Sequence, residues 1–228
     1  MLVEHENESF RNNGFNYKIK KIENIIFKHV VVEKKDKVIL RNLNFKVNLN
    51  DKVALIGRTG AGKTTVLNLM LFFDRISSGE ILINDIDLYD INIKNLRSKI
   101  SYFTQDSFLF NRTIKKNILL YLDYNNPIIC QKYLEVLKIC ELDNLDDSKV
   151  VGNRGVFVSG GEKQRIALAR CLMKDFDVLV LDEFGNSINE NMGIEIYKNL
   201  IDFYKDKIII AVSHRANIAN LFQKKIQL

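Results

Sequence analysis

The sequence has few cysteines, and none of them are paired at a metal-binding or redox spacing. Its 228 residues include three cysteines, Cys130, Cys140 and Cys171, without a C-x-x-C motif. This excludes zinc ribbons and thioredoxin-like motifs, which need closely spaced thiols. Because the count is odd and two of the three lie in apolar helical stretches, we predict buried free thiols in a reducing compartment.

Long hydrophobic runs are also absent. No stretch approaches the roughly 20 apolar residues that a membrane-crossing helix needs, and the N-terminus lacks the apolar core of a signal peptide. The sequence as written is therefore predicted to be soluble. It has no internal repeat, and its polar residues 1–21 are predicted to form a tail or linker.

Basic residues exceed acidic ones by 34 to 28, which gives a net charge of +6. Much of the excess lies near the N-terminus, in Lys18, Lys20, Lys21, Lys28, Lys34, Lys35 and Lys37. A basic balance permits nucleic acid or an anionic membrane as a partner, but no compact basic patch interleaved with aromatic residues is present. We interpret the lysines as a solvated face and expect no nucleic-acid partner.

The most informative stretch is a glycine-rich loop between a strand pattern and a helix pattern. Residues 57–64 read Gly-Arg-Thr-Gly-Ala-Gly-Lys-Thr, after the apolar run 53–56. The glycines let backbone N–H groups turn toward an anion, and the positive end of the next helix strengthens that field. Lys63 would reach the outer phosphates and Thr64 would bind Mg²⁺. The alternative is a plain glycine-rich turn, so the loop alone indicates only a nucleotide phosphate.

The rest of the chain alternates strand and helix patterns. Residues 22–32 and 38–47 predict an antiparallel hairpin. Further strands are predicted at 80–83, 100–104, 178–181 and 208–212. Helices are predicted at 92–99, 113–120, 128–140 and from Ser159 through Met173.

A second pair of glycines lies at the start of the last of these helices. Ser159 and Glu162 have the spacing of a capping box around Gly160 and Gly161. The box does not explain the glycines, each of which costs up to about 1 kcal/mol against alanine in a helix. A phosphate that contacts their N–H groups would explain them.

Two carboxylates, Asp182 and Glu183, follow a fully apolar strand pattern. Such strands are typical of the centre of a parallel sheet, and ligands bind at their carboxyl ends. There Asp182 could hold Mg²⁺ through water and Glu183 could polarise an attacking water. The alternative is an acidic start to the next helix. His214 follows the next apolar strand. A lone histidine is seldom catalytic, so His214 is a candidate only because it follows a strand of the same kind as Asp182 and Glu183 do.

Together these motifs resemble the nucleotide-binding domain of an ATP-binding cassette (ABC) transporter, over about residues 22–228. The matching motifs are Walker A at 57–64, the Q-loop at Gln105, the signature at 158–162, Walker B at 178–183 and the H-loop at His214. The segment from Gln105 to Ile118 and the segment 151–155 are further similar to the exporter subtype.

The resemblance implies an α/β fold with a P-loop NTPase (RecA-like) core and a mainly parallel sheet. An N-terminal antiparallel β subdomain and a helical subdomain inserted at about 106–165 would complete the domain. Members of this family bind ATP and Mg²⁺ between two subunits arranged head to tail. Hydrolysis would power the transmembrane domains of an exporter, from the cytoplasmic side of a membrane.

The same resemblance implies a role for each motif. The ATP-binding residues would be Gly57, Arg58, Thr59, Gly60, Ala61, Gly62, Lys63, Thr64 and Thr65. Thr64, Gln105 and Asp182 would serve Mg²⁺. Glu183, as general base, would act in catalysis with His214 and Gln105. Ser159, Gly160, Gly161 and Glu162 would contact the ATP of the partner subunit.

Three positions depart from the family pattern. Lys34 stands where an aromatic side chain usually stacks on adenine, which predicts a weak preference for ATP over GTP. Asn189 replaces a carboxylate that helps to couple the two sites. Asn153 replaces an acid in the exporter-like segment 151–155.

Three hypotheses remain open, of which an exporter ATPase domain is favoured. The second is a mechanical or regulatory ABC ATPase that acts on nucleic acid or ribosomes. Against it, the sequence has no long heptad insertion and no second cassette. The third is a cassette that binds nucleotide but barely hydrolyses it, which Lys34 and Asn189 favour and which Glu183 and His214 oppose.

Overall fold

An antiparallel sheet forms the N-terminal part of the structure, a computed structural model that describes residues 17–34, 37–104 and 108–228. Strands β1 (Asn24–Lys34) and β2 (Lys37–Asn48) pair as the predicted hairpin. Strands β4 (Ser78–Ile83) and β5 (Ile86–Asp87) extend it in the order β2-β1-β4-β5. This confirms the expected β subdomain.

A second sheet is parallel throughout and has the order β6-β7-β8-β3-β9. Its strands are β3 (Lys52–Ile56), β6 (Ile100–Phe103), β7 (Val178–Asp182), β8 (Ile208–Val212) and β9 (Lys224–Gln227). All residues of β7 and β8 are buried, as their unbroken apolar runs predict. The sheet places the carboxyl ends of β3, β7 and β8 along one edge.

The described part of the chain contains the helices that the sequence predicts after the glycine-rich loop, at 92–99, at 113–120, at 128–140 and from Ser159 through Met173, and two further helices after β7 and β8. They are α1 (Lys63–Met70), α2 (Ile93–Ser98), α3 (Ile114–Leu119), α4 (Pro127–Ile139), α5 (Gly160–Met173), α6 (Glu190–Phe203) and α7 (Ala216–Ala219). Side-chain caps fix several starts: Asn92 accepts the amide of Asn95, and Thr113 accepts that of Lys116.

Two hydrophobic cores lie on the two faces of the parallel sheet. Since side chains alternate along a strand, Val178 and Val180 pack with α1 and the antiparallel sheet, whereas Leu179 and Leu181 pack with α3 to α6. The α/β fold with a mainly parallel sheet is therefore confirmed. The exact limits of the helical subdomain, about 106–165, stay a prediction.

The predicted tail lies only partly within the described residues, which begin at Tyr17. Ile19 is 3% exposed, and its amide donates to Asn95 Oδ1 over 2.8 Å. Ile19 thus packs beside α2, and the tail or linker over residues 1–21 stays a prediction.

The cysteines are free, but only Cys140 is fully buried; Cys130 and Cys171 are partly exposed. The predicted burial is therefore correct for one of three. Burial raises the pKa of the Cys140 thiol, and it raises the pKa of Cys171 to about 11. Both side chains consequently stay protonated at neutral pH.

Candidate active site

The glycine-rich loop joins β3 to α1 at the carboxyl edge of the parallel sheet. Gly60 and Gly62 have φ angles of +81° and +94°, which side chains rarely adopt. At Gly62 a Cβ would also lie 2.5 Å from Leu40 Cδ2. Glycine at this position therefore lets α1 begin directly beneath the hairpin.

The N-terminus of α1 is open to an anion. No side chain of a described residue caps it, and its first turn carries no acidic residue. The first N–H groups of a helix have no intrahelical partner, and they carry the positive end of the helix dipole. These uncapped N–H groups beside a left-handed glycine turn fit a nucleotide phosphate.

Lys63 is buried and is held by the loop itself. Its Nζ donates to the carbonyl oxygens of Gly57 (2.8 Å) and Arg58 (2.9 Å). Burial lowers the pKa of Lys63, and the opposing charges of Glu183 and Asp182 limit that shift. Lys63 thus lies near Asp182 and Glu183, although more than a hundred residues separate it from them in the sequence.

Asp182 ends β7 and is buried beside a tyrosine. The hydroxyl of Tyr102, on the neighbouring strand β6, donates to Asp182 Oδ2 over 3.1 Å. Burial is the main cause that raises the pKa of the Asp182 carboxyl, and Glu183 adds to it; Tyr102 and Lys63 act in the opposite direction. Ionisation of the Asp182 carboxyl in this site therefore costs stability.

Replacing Asp182 with asparagine is expected to raise the melting temperature of the nucleotide-free chain at neutral pH. A raised pKa means that ionisation of this carboxyl destabilises the folded state as the pH rises through it. Asparagine cannot ionise and removes that effect. The gain in melting temperature is therefore full at pH 7 and disappears below the ordinary aspartate pKa of about 3.9. Thermal melts of both chains across this pH range test it, and a variant that melts below the wild type at pH 7 contradicts it.

Glu183 and His214 form a pair at the ends of adjacent strands. His214 Nε2 lies 3.0 Å from Glu183 Oε1, and Asn186 Nδ2 donates to Glu183 Oε2 over 3.0 Å. Glu183 has a left-handed φ of +54°, which is uncommon for a residue with a side chain. Such strained residues concentrate at functional sites. The two side chains remain partly exposed, at 22% for Glu183 and 38% for His214, and can meet a water molecule.

The signature residues form the predicted capping box. Ser159 Oγ accepts the amide of Glu162, and Glu162 Oε2 accepts the amide of Ser159. These bonds hold the pKa of Glu162 below its ordinary value. The structure also gives a reason for the glycines that differs from the predicted phosphate contact: a Cβ at Gly161 would lie 3.0 Å from Ser187 O. Ser159 and Gly160 are nevertheless exposed and accessible to a second chain.

Four further positions were singled out in the sequence, and the structure describes three of them. Gln105 lies outside the described residues. Lys34 forms an ion pair with Asp74, just beyond α1. Asn189 caps α6, because its Oδ1 accepts the amide of Met192. At Asn153 a short 3₁₀ turn begins before the signature.

A magnesium ion fits this site only together with a nucleotide. Within the described ranges, no group of three or more His, Cys, Asp or Glu side chains could hold a metal ion by itself. Mg²⁺ in nucleotide sites usually has one or two protein carboxylates, phosphate oxygens and waters as ligands. The single carboxylate of Asp182 and the exposed Thr64 match that pattern.

Sequence reasoning missed three side chains near the site. They are Tyr102, which binds Asp182; Asn186, which binds Glu183; and Gln164, which binds the loop after Glu183. Gln164 follows the signature and Asn186 follows Walker B, but neither position by itself indicates which residue the side chain contacts. Tyr102 and Gln164 reach their partners across 80 and 21 residues of sequence.

Comparison with known proteins gives the family. The model of the "ABC transporter" family matches residues 40–186. A putative export ATP-binding/permease protein of Rickettsia bellii is 34% identical over 183 residues, which are 78% of this chain and 31% of that protein. An ATP-dependent lipid A-core flippase of Syntrophus aciditrophicus is 32% identical over 85% of this chain and 33% of that protein. The chain thus spans about a third of these relatives.

A solved structure has the same fold. A bacterial Atm1-family ABC exporter with ATP bound superposes with a TM-score of 0.84 and 28% identity, over 95% of this chain and 39% of that chain. Among the described residues, no helix has both the length and the apolar character needed to cross a membrane. On its motifs, fold and relatives, the chain belongs to the ABC transporter family, as an ATP-binding ATPase domain of the exporter type.

Proposed function

We propose that two copies of this domain, or this domain and a related one, hydrolyse ATP between them and so drive an exporter. One observation carries the proposal: the ends of β3, β7 and β8 bring Lys63, Asp182, Glu183 and His214 to one edge of the sheet. Phosphoryl transfer needs positioned positive charge and a base for water more than it needs a covalent nucleophile.

The binding half of the site is built from the glycine-rich loop. The loop amides and the N-terminus of α1 contact the phosphates, and Lys63 exchanges the carbonyls of Gly57 and Arg58 for phosphate oxygens. Thr64, Asp182 and Gln105 would hold Mg²⁺, which neutralises charge on the β- and γ-phosphates when bound. The Tyr102 hydroxyl fixes the orientation of the Asp182 carboxylate.

The reacting half is the Glu183 and His214 pair. Glu183 accepts a proton from the water that attacks the γ-phosphorus. ADP leaves as the bond between the γ-phosphorus and the oxygen of the β-phosphate breaks. His214, whose Nε2 lies 3.0 Å from Glu183 Oε1, holds the carboxylate and would contact the γ-phosphate. Asn186 holds the second carboxylate oxygen. The carboxylate is thereby directed toward one position for the water.

The signature of one chain would complete the ATP site of its partner. Ser159 and Gly160 are exposed, and the neighbouring Val156 and Phe157 expose 65% and 63% of their surface. An apolar, accessible surface beside the exposed residues Ser159 and Gly160 suits a second nucleotide-binding domain. In the head-to-tail arrangement, this surface would cover the ATP held by the glycine-rich loop of the partner.

A groove between α4, α5 and the parallel sheet is the proposed docking site for the transmembrane domain. It encloses about 620 Å³, and the side chains along it include Phe73, Tyr121 and Ile128, which are 50%, 90% and 76% exposed. The relatives are named ATP-binding/permease proteins, and this chain matches only their ATP-binding third. We infer that a membrane-attached segment of the permease part fills the groove on the cytoplasmic side.

The proposal predicts that ATP hydrolysis requires pairing. Specific ATPase activity should rise with chain concentration and then level off, because each complete site contains two chains. The measurement is the rate per chain at saturating Mg-ATP, with the molar mass followed in parallel. A constant rate per chain in a solution of monomers contradicts the proposal. Intact ATP binding without turnover would instead favour the low-hydrolysis cassette.

Lys34 makes the nucleobase contact unusual. Its ammonium group is paired with Asp74 and offers no ring face for stacking. We therefore expect similar kcat/KM values for ATP and GTP in the same assay. A strong preference for ATP would contradict this expectation without affecting the rest of the proposal.

A further inference from the structure

A buried glutamine from α5 holds the loop that follows Glu183. Gln164 is 8% exposed, and its Oε1 accepts the amide N–H of Gly185 (3.2 Å) and that of Ser187 (3.3 Å). One side-chain oxygen thus satisfies two loop amides. The Gly185 amide is buried and would lose its acceptor without Gln164, so the contact restrains the loop.

The two segments also touch through their backbones. A Cβ at Gly161 would lie 3.0 Å from Ser187 O, and one at Gly160 would lie 3.2 Å from Ser187 Cβ. A side chain at either position would require the loop to shift by a few tenths of an ångström, so the two glycines allow a close fit. Gln164 lies in the next turn of the same helix and reaches the same loop.

The restrained loop determines where the Glu183 side chain points. Glu183 and Gly185 both have a left-handed φ, of +54° and +98°. Uncommon backbone conformations persist where the surroundings fix them. Two further anchors come from other helices: the Tyr197 hydroxyl donates to Phe184 O, and Arg215 donates to Asn186 O. Gln164 is the anchor that comes from the helix whose first turn carries the signature.

We propose that Gln164 is a positioning residue for Glu183. Its side-chain oxygen holds the loop of residues 183–188 so that the Glu183 carboxylate stays aligned with His214 and the attacking water. This inference rests on the proposed function of Glu183 as base. Because α5 begins at the signature, the same contact links the partner's ATP to the base of this chain's own site.

The test compares a substitution that removes the acceptor with one that keeps it. Gln164→Met keeps the length and removes the oxygen, whereas Gln164→Glu keeps an acceptor for both amides. We expect Gln164→Met to lower kcat about tenfold, with KM within about twofold of the wild type, because a small misalignment of the base slows the chemical step. Gln164→Glu should retain most of the wild-type kcat.

Ser101→Ala is the matched control. Ser101 is a buried residue of β6, and its Oγ donates to the carbonyl oxygen of Cys171 in α5 over 2.7 Å. Within the described part of the chain it forms no hydrogen bond with residues 183–188. Hydrogen exchange of the amides in residues 183–188 should accelerate in Gln164→Met and stay at the wild-type rate in Ser101→Ala.

Unchanged exchange in Gln164→Met overturns the inference whether or not the chain hydrolyses ATP. So does a wild-type kcat in this variant, or an equal loss of kcat in Ser101→Ala. An inactive wild-type chain would instead contradict the proposed function, and the exchange measurement would still decide whether Gln164 holds the loop.

Discussion

Replacing Glu183 with glutamine is expected to lower ATP turnover by about 10²- to 10⁴-fold, the usual contribution of a general base. Glutamine keeps the shape of the side chain, but it cannot accept the proton of the attacking water. ATP binding should remain, because the phosphate contacts come from the glycine-rich loop. Steady-state kcat and the Kd of ATP, measured on the same preparation, separate the two effects.

Glu190→Gln is the matched control for this variant. Glu190 is the first residue of α6, a few residues beyond Glu183, and it accepts a hydrogen bond from Asn217. It makes no contact with His214 in the described structure. Turnover near the wild-type rate is expected in this control. Undiminished turnover in Glu183→Gln would remove Glu183 from the role of base.

Replacing Lys63 with alanine is expected to lower the affinity for ATP at least tenfold. Charge-assisted hydrogen bonds contribute about 1.5–3 kcal/mol each, so losing even one lowers affinity roughly tenfold or more. The ammonium group of Lys63 donates to the carbonyl oxygens of Gly57 and Arg58, and it can exchange these for phosphate oxygens. It lies beside the predicted phosphate position. Calorimetric titration with ATP measures the loss.

Lys52→Ala controls for the general effect of removing a buried lysine. Lys52 lies at the opposite end of β3, is 3% exposed, and donates to the carbonyls of Asn50, Lys205 and Lys207. Burial lowers its pKa, as it does for Lys63. This variant should lose stability but keep its ATP affinity. Wild-type affinity in Lys63→Ala would contradict the phosphate-binding role of the loop.

The sequence predicted those features that depend on local pattern. The unbroken apolar runs at 178–181 and 208–212 gave buried parallel strands, because both faces of such strands must be covered. The spacing of Ser159 and Glu162 gave a capping box that the structure contains. The glycine-rich loop was placed between its strand and helix by the same local reasoning.

The sequence did not predict the contacts that join distant segments. Tyr102 meets Asp182 only because β6 and β7 are neighbours in the sheet, and Lys34 meets Asp74 across 40 residues. The glycines of the signature illustrate the same point. Their close contact with Ser187 depends on how α5 packs on the loop after β7, which no local pattern contains.

The central claim is that each ATP is enclosed by the glycine-rich loop of one chain and the signature of another. The most direct test is the molar mass of the Glu183→Gln chain in solution, with and without Mg-ATP, since this variant should bind ATP without consuming it. We predict the mass of two chains with Mg-ATP and of one chain without it. The mass of a single chain at an ATP concentration that saturates binding would contradict the claim.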